Sequence, residues 1–190
     1  VHHFGNFWHS ALAYEKEPAL GTILYGIDVP DWGGDTMFTS LYAAYDALSD
    51  GMKRMLADLR IVFTNANTYG KDATRFKTGV AKDMTVAQAP EEKEVLHPIV
   101  RTHPETGRKA LYLSTTHFSH IEGMTKAESQ PLLDQLSKHA VRPDFTCRFK
   151  WRPGSIAMWD NRCTMHYAVN DFPEARRIMQ RVTLQGDRPF

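Results

Sequence analysis

Histidines are the residues of this sequence whose chemistry first needs an explanation. The chain of 190 residues contains nine of them, and neutral imidazole is the commonest metal ligand in proteins and a frequent acid or base. His9 and His166 are of most interest, since each has aromatic neighbours in the sequence. A histidine beside aromatic residues more often packs in a core than binds a metal, so residue type alone leaves both interpretations open.

Two arginines near the C-terminus form a second candidate feature. Residues i and i+4 of a strand point to the same face and lie about 13 Å apart, which places Arg177 and Arg181 on one face with Met179 between them. If that face points inward, two desolvated guanidinium groups require two anions, because unpaired buried charge is prohibitive. Arginine suits carboxylates and sulfonates through its bidentate fork. The alternative is an outer face on which both arginines are hydrated.

The elements that position these residues are predicted to be mainly strands. Alternation, apolar runs and turn residues predict strands over Leu20–Val29, Phe145–Trp151, Ser155–Trp159 and Arg177–Gln185. A hairpin is expected to turn at Thr106–Arg108, and Lys71–Glu94 reads as a long irregular loop.

A few helices accompany the strands. Helical spacing of apolar residues predicts helices over Ser40–Leu48 and Ser49–Leu59, the second with an apolar stripe made of Met52, Met55, Leu56 and Leu59. A capping box starting at Thr125 opens a third helix that ends near Ala140, with Pro131 either kinking it or marking its first residue. The fold class is therefore mixed and mainly β, an antiparallel sandwich or barrel with helical insertions.

Composition excludes several classes of function. With 23 Lys+Arg against 22 Asp+Glu the net charge is +1, which leaves no basic surface for nucleic acid, and no apolar run is long enough to span a membrane. Two cysteines, Cys147 and Cys163, suit a reducing compartment, so we expect a cytoplasmic protein. Residues 1–190 read as a single domain. Its apolar start without an initiator methionine leads us to expect that an N-terminal segment is missing.

Several short motifs together resemble one known family. In chain order they are Trp8-His9-Ser10, Gly33-Gly34-Asp35-Thr36, His97-Pro98-Ile99-Val100-Arg101-Thr102-His103-Pro104, Trp159-Asp160-Asn161-Arg162, His166 and Arg176-Arg177-Ile178-Met179. Each is modest alone, but the set resembles the TauD/TfdA family of Fe(II)- and 2-oxoglutarate-dependent dioxygenases. The resemblance implies a double-stranded β-helix, or jelly roll, with helical insertions.

The resemblance also implies cofactors and residue roles. The cofactors are Fe(II), 2-oxoglutarate as cosubstrate and O2, and the reaction is hydroxylation of a small anionic sulfonate or aryloxy/alkyl carboxylate through an Fe(IV)-oxo intermediate. Catalytic residues would be His9, His166 and Arg177: the histidines as metal ligands, and Arg177 with Thr36 as the cosubstrate site. Substrate would contact Arg181, Trp8 and Tyr14. A homo-oligomer is compatible with the family.

One residue departs from the family pattern. The family holds iron with a His-x-Asp pair and a distal histidine, the facial triad, whereas position 11 is Ala in this chain. Three hypotheses follow: a hydroxylase scaffold that has lost its carboxylate, a halogenase that binds chloride or bromide in the vacated position, or another carboxylate, such as Glu15, as replacement. We favour the hydroxylase scaffold because the surrounding motifs are conventional. A remnant that binds anions without catalysis is the non-enzymatic alternative.

Overall fold

The computed structural model describes residues 5–69, 91–172 and 175–190. Its strands are β1 (Gly21–Asp28), β2 (Thr36–Ser40), β3 (Arg60–Thr64), β4 (Glu94–Pro98), β5 (Val100–Thr102), β6 (Lys109–Leu111), β7 (Phe118–Ile121), β8 (Thr146–Phe149), β9 (Ile156–Asp160), β10 (Thr164–Ala168) and β11 (Ile178–Leu184). Its helices are α1 (Leu41–Asp46), α2 (Asp50–Leu56), α3 (Ala66–Tyr69) and α4 (Lys126–Ala140), with a 3₁₀ turn at Pro143–Phe145.

The strands form small antiparallel sheets. The orders are β11–β1–β9, β10–β2–β8 and β4–β3–β7, with β5 and β6 as a separate hairpin. Side chains from β11–β1–β9 and from β10–β2 line opposite walls of one cavity. The prediction of a mainly β jelly-roll fold with helical insertions is thus confirmed.

The N-terminal segment extends one wall of this cavity. Its backbone runs antiparallel to β10, with the Ala168 N–H donating to Gly5 O at 2.9 Å and a two-way bridge between His9 and His166. Ser10 closes the contact through its hydroxyl, which donates to Thr164 O at 3.0 Å. The segment therefore adds to the edge of β10, which the antiparallel ladder leaves free for pairing.

Each predicted helix begins at a hydroxyl residue. Ser40, Ser49 and Thr125 accept a hydrogen bond from a backbone N–H of the first turn, and Thr125 completes a capping box with Glu128. Helix α4 runs through Pro131, so the alternative that this proline marks its first residue is wrong.

The predicted apolar stripe of α2 is only partly correct. Leu56 is fully buried, but Met55 is 48% exposed. At 3.6 residues per turn two consecutive positions differ by about 100° in direction, so Met55 faces solvent when Leu56 faces the core.

The hydrophobic core packs between the helices and two of the sheets. It joins α1, α2 and α4 to the sheets of β3 and of β5–β6, and its fully buried side chains include Leu41, Leu56, Ile61, Phe63, Ile99, Leu111, Leu113, Ile121, Leu133 and Leu136. The predicted hairpin is confirmed, with Gly107 in its turn at φ +68°. No helix of the described residues is long and apolar enough to cross a membrane.

Some elements were not predicted, and one prediction lies outside the described residues. Sequence reasoning gave no strand at β2 or β10, although both carry site residues. The irregular loop expected over Lys71–Glu94 falls mostly on residues 71–90, which the structure does not describe; its last residue, Glu94, begins β4.

A buried histidine in this framework predicts a pH-dependent stability. Burial lowers the pKa of His97 to about 4, and its Nε2 donates to Glu15 O at 2.9 Å. The unfolded histidine has a pKa near 6.5, so its contribution to stability is complete above pH 6.5 and is lost as the pH falls toward 4. Between pH 7.5 and 5.0 the loss should be about 2 kcal/mol from this group.

His97→Gln keeps a side-chain donor but cannot take up a proton. Urea denaturation at both pH values should show that the free energy of unfolding of the variant falls by about 2 kcal/mol less than that of the wild type. Parallel losses in the two proteins would show that His97 does not titrate as described.

Candidate active site

The two facing sheets enclose a cavity of about 240 Å³. Its described lining comes from the N-terminal segment and from strands on both walls, and consists of Gly5, His9, Leu24, Thr36, Trp159, His166, Ala168, Arg177, Met179 and Arg181. Five of the residues predicted to act in a site are among them: both histidines, both arginines and the threonine. The described lining contains no carboxylate.

The two histidines are held together by their own backbones. The His9 N–H donates to His166 O at 3.1 Å and the His166 N–H donates to His9 O at 3.0 Å. Directly opposite residues of an antiparallel pair point to the same face, and the imidazole centroids accordingly lie 4.1 Å apart. One backbone bridge therefore brings together two histidines that lie far apart in the sequence.

Both imidazoles are in the form that binds metal ions. Burial lowers the pKa of His9 and lowers that of His166 well below 6.5, and the charge of Arg181 acts in the same direction on both. The Nδ1 of His9 donates to Phe7 O at 2.8 Å, since a carbonyl can only accept. The Nε2 of His9 therefore carries a free lone pair, which is the arrangement that a metal-binding imidazole requires.

The donor set fits a metal ion only in part. His166 Nδ1 is buried without a hydrogen-bond partner among the described residues, as expected of a group reserved for an ion. Ala11 is buried and offers no donor atom. In the described part of the chain, no carboxylate or thiol forms a three-ligand group with His9 and His166. Two neutral imidazoles would hold the metal, and Ala11, which is not among the described lining of the cavity, adds no third ligand.

The structure places the candidate replacement ligand elsewhere. Glu15 forms an ion pair with Lys93 at 2.7 Å and lines a different cavity. The hypothesis that Glu15 takes the place of the missing carboxylate therefore has no structural support.

Both arginines line the cavity, as the inward-facing alternative predicts, but only Arg177 is half-buried, and Arg181 remains exposed to solvent. Arg177 lies just before β11 and Arg181 lies within it, and Met179 shares their face. Arg177 is half-buried and its Nε has no hydrogen-bond partner among the described residues. Burial lowers the pKa of its guanidinium, and the charge of Asp35 partly offsets this effect. Donor atoms without partners on a guanidinium, which stays charged at any physiological pH, call for an anion.

The glycine pair before β2 makes room for Arg177. Gly34 has φ +68°, and a Cβ atom on it would lie 3.2 Å from both Cδ and Nε of Arg177. The neighbouring Gly33 has φ +76°, and its Cβ would lie 2.7 Å from Oδ1 of Asp171. Both positions thus need glycine for the backbone angle and for close approach.

A chain of ion pairs fixes the loops on either side of Arg177. Arg148 on β8 donates through Nε to Asp35 at 2.6 Å and through a terminal nitrogen to Asp171 at 3.0 Å. Asp171 also accepts the N–H of Gly34 at 2.7 Å. These bonds tie the start of β2 to the segment before β11, and they position the backbone from which Arg177 projects.

Sequence reasoning assigned two aromatic residues to the pocket and missed another. Trp8 packs against Tyr167 and Tyr14 packs edge-on against His117; neither belongs to the described lining, so their contact with substrate stays a prediction. Trp159 lines the cavity instead, with its ring centroid 4.7 Å from that of His166. Its Nε1 donates to Asn161 at 3.0 Å. No clear signal marked Trp159 in the sequence, because residues 156–159 are all apolar, and the structure exposes Ile156 and Met158 while it buries Trp159.

A second group of potential metal ligands, His103, Asp160 and Cys163, lies outside the cavity. His103 Nδ1 accepts the N–H groups of Glu105 and Thr106, so its Nε2 carries the proton and donates to Asp160 at 3.0 Å. Arg162 also binds Asp160, at 2.6 Å. The nitrogen that would bind a metal is therefore already protonated, and this cluster is a structural network.

The packing at Gly34 predicts a specific effect of adding one methyl group. Gly34→Ala should weaken binding of 2-oxoglutarate, the dianion that the family resemblance assigns to Arg177, about tenfold, which corresponds to 1.4 kcal/mol, because the new Cβ displaces the guanidinium. Isothermal titration calorimetry measures this affinity. Gly107→Ala is the matched control, since Gly107 has the same φ of +68° with nothing within 4 Å of the added Cβ.

Both variants should lose about 1–2 kcal/mol of stability from the left-handed backbone. Only Gly34→Ala should lose affinity. Equal affinity in the two variants would refute the close approach as a determinant of binding.

Known proteins with similar sequences identify the family of this chain. The family described as "Taurine catabolism dioxygenase TauD, TfdA family" matches residues 1–183. The alpha-ketoglutarate-dependent 2,4-dichlorophenoxyacetate dioxygenase of Cupriavidus pinatubonensis is 38% identical over 187 residues, which cover 96% of this chain and 62% of the relative. The chain spans less than two thirds of the length of such curated relatives, from 42% to 62%.

Solved structures agree with the sequence matches. A taurine dioxygenase from Burkholderia xenovorans superposes with a TM-score of 0.80 at 38% identity, over 96% of this chain and 57% of the other. AAD-2 in complex with Mn(II) and N-oxalylglycine superposes with a TM-score of 0.83 at 36% identity, over 97% of this chain and 70% of the other. Motifs, fold and matches together show that this chain belongs to the TauD/TfdA family of alpha-ketoglutarate-dependent dioxygenases.

Proposed function

We propose that this chain forms the catalytic core of an Fe(II)- and 2-oxoglutarate-dependent oxygenase that acts on a small anionic substrate; 2-oxoglutarate is another name for alpha-ketoglutarate. One observation carries the proposal. Two neutral histidines and two arginines, which come from both ends of the chain, converge on a single cavity of about 240 Å³. Convergent polar groups in an otherwise apolar pocket are the usual form of a binding site for a small molecule.

The charge of the cavity supports this proposal. Its described lining carries two guanidinium groups and no carboxylate, and the lowered pKa values of His9 and His166 keep both rings neutral. The half-buried Arg177 forms no ion pair among the described residues, and the exposed Arg181 adds a second positive charge to the same cavity. Both charges favour bound anions. A dianionic cosubstrate and an anionic substrate would supply them.

The roles of the residues follow from their positions. His9 and His166 would hold the metal, and Arg177 with the Thr36 hydroxyl would hold the distal carboxylate of 2-oxoglutarate. A metal held there would supply the redox chemistry with O2, for which 2-oxoglutarate, converted to succinate and CO2, would provide electrons. Arg181 would bind the anionic group of the substrate and so set the distance of the reacting C–H bond from the metal.

The substrate class rests on Arg181 and on the names of the relatives. A planar guanidinium binds carboxylates through two parallel hydrogen bonds, and sulfonates and sulfate esters offer a similar pair of oxygen acceptors. The relatives named above act, by name, on a phenoxyacetate and on taurine. We therefore propose a small sulfonate or sulfate ester, or an aryloxy or alkyl carboxylate, as substrate.

Ala11 favours a second candidate function. Without a carboxylate at position 11 the cavity holds one negative charge fewer and the bound metal has an open position. A halide would supply the missing negative charge and occupy the open position of the metal. The second candidate is therefore a 2-oxoglutarate-dependent halogenase that uses chloride or bromide. Loss of catalysis, with anion binding retained, is the outcome expected if the two histidines hold iron too weakly.

Succinate formation tests the proposed function. The protein is incubated aerobically with Fe(II), 2-oxoglutarate and, in turn, an alkyl sulfonate, an alkyl sulfate and an aryloxyacetate, with and without chloride or bromide. We expect succinate in excess of the substrate-free reaction with at least one of these anions. No succinate with any of them, together with no measurable binding of 2-oxoglutarate, would contradict the proposal.

Restoring the carboxylate separates the two candidate functions. In the hydroxylase, Ala11→Asp should raise metal affinity and hydroxylation at least about tenfold, since even groups that only support a metal ligand contribute 10–100-fold. Ala11→Asn, of the same size without the charge, is the matched control and should recover much less. Calorimetry with Mn(II) and product mass analysis are the measurements.

The halogenase predicts the opposite result. The wild type would then release a chlorinated or brominated product, and Ala11→Asp would abolish it by occupying the halide position. Equal metal affinity in the wild type and in Ala11→Asp would show that position 11 does not face the metal, which would contradict both functions.

A further inference from the structure

We propose that Trp151 is a positioning residue: its indole N–H occupies one acceptor site of the Thr36 hydroxyl and so favours the orientation in which Thr36 donates its hydrogen to the anion at Arg177. This inference rests on the proposed function and deepens it, because it identifies a residue outside the cavity lining that determines how the 2-oxoglutarate carboxylate is recognised. Trp151 belongs to none of the motifs that carry the resemblance to the family.

The hydrogen bond that carries the inference is buried at both ends. Trp151 Nε1 lies 2.9 Å from Thr36 Oγ1, and the two residues are 3% and 2% exposed. An indole nitrogen can only donate, so the threonine oxygen must accept. The direction of this hydrogen bond is therefore fixed by chemistry and does not depend on the assignment of hydrogen positions.

The threonine hydroxyl accepts this hydrogen bond, so its own hydrogen can still be donated to another group. The hydroxyl has one donor and two acceptor sites, and the indole occupies one acceptor site. In the described part of the chain, Oγ1 of Thr36 has no other hydrogen-bond partner. Because Thr36 lines the cavity together with Arg177, the free hydrogen is available to a ligand there.

Packing holds the indole in this orientation. Its ring lies edge-on to Phe149 with centroids 4.8 Å apart, and its Cε3 would lie 3.5 Å from a Cβ on Gly26 of β1. Trp151 thus contacts β1 on one side and binds β2 through Thr36 on the other. A side chain packed between two strands cannot turn its N–H away without disturbing both.

The consequence is a subsite that favours hydrogen-bond acceptors. Arg177 offers N–H groups and no acceptor, and Thr36, with one acceptor site engaged by Trp151, offers its O–H. Such a subsite binds a carboxylate, which accepts hydrogen bonds at both oxygens, and disfavours any ligand group that must donate a hydrogen bond. Without the indole N–H, the hydroxyl is free to rotate and the preference weakens.

A double-mutant cycle on the full chain tests this. The affinity for 2-oxoglutarate is measured by isothermal titration calorimetry with Mn(II) present for the wild type, Trp151→Phe, Thr36→Val and the double variant. We expect each single change to weaken binding about three- to tenfold, the range of one hydrogen bond. The double variant should bind within about twofold of Thr36→Val, because Trp151 acts through Thr36.

If the losses of affinity in the two single variants multiply in the double variant, the inference is wrong, because a purely structural tryptophan would act independently of the hydroxyl. If Trp151→Phe does not fold, 3-benzothienylalanine at position 151 keeps the shape and removes the N–H, and it should reproduce the expected loss. Absence of 2-oxoglutarate binding by the wild type would defeat the proposed function and this inference with it. Binding by the wild type with multiplicative effects defeats the inference alone.

Discussion

The backbone bridge between His9 and His166 is the interaction on which the site depends. Two hydrogen bonds of 3.1 and 3.0 Å join residues from opposite ends of the chain, and the antiparallel geometry turns both imidazoles to the same face. Burial then keeps the rings neutral. Without this bridge, neither β10 nor the N-terminal segment would present a pair of metal ligands, because each contributes one histidine to the described lining of the cavity.

A second constraint positions the anion-binding half of the cavity. Arg177 can lie against β2 only because Gly34 lacks a side chain, and Arg148 ties both neighbouring loops together through Asp35 and Asp171. Exposed ion pairs contribute little stability on their own. These pairs matter for position, since they fix the loop geometry at which a half-buried guanidinium meets its ligand.

Much of this arrangement could be predicted from the sequence, and the exceptions have physical reasons. The alternation of β11 correctly placed Arg177, Met179 and Arg181 on one face, and all three line the cavity, although Arg181 is also exposed. Strands β2 and β10 were missed although β9, of the same length, was predicted. In β2 the adjacent apolar residues Met37 and Phe38 break the two-residue period, and no glycine or proline lies within three residues of either end of β10. The Trp151–Thr36 bond and the Arg148 ion pairs could not be foreseen, since they join residues far apart in sequence. Pattern alone also could not tell Trp159, which lines the cavity, from Trp8, which packs beside it.

The central claim is that His9, His166 and Arg177 together hold a metal chelated by 2-oxoglutarate, even with alanine at position 11. Anaerobic titration of the protein with Fe(II) and then 2-oxoglutarate tests it most directly, because the chelate has a visible charge-transfer band. We expect a saturable band in the wild type that disappears in His166→Ala. No band at any workable concentration, or a band that is unchanged in His166→Ala, would contradict it.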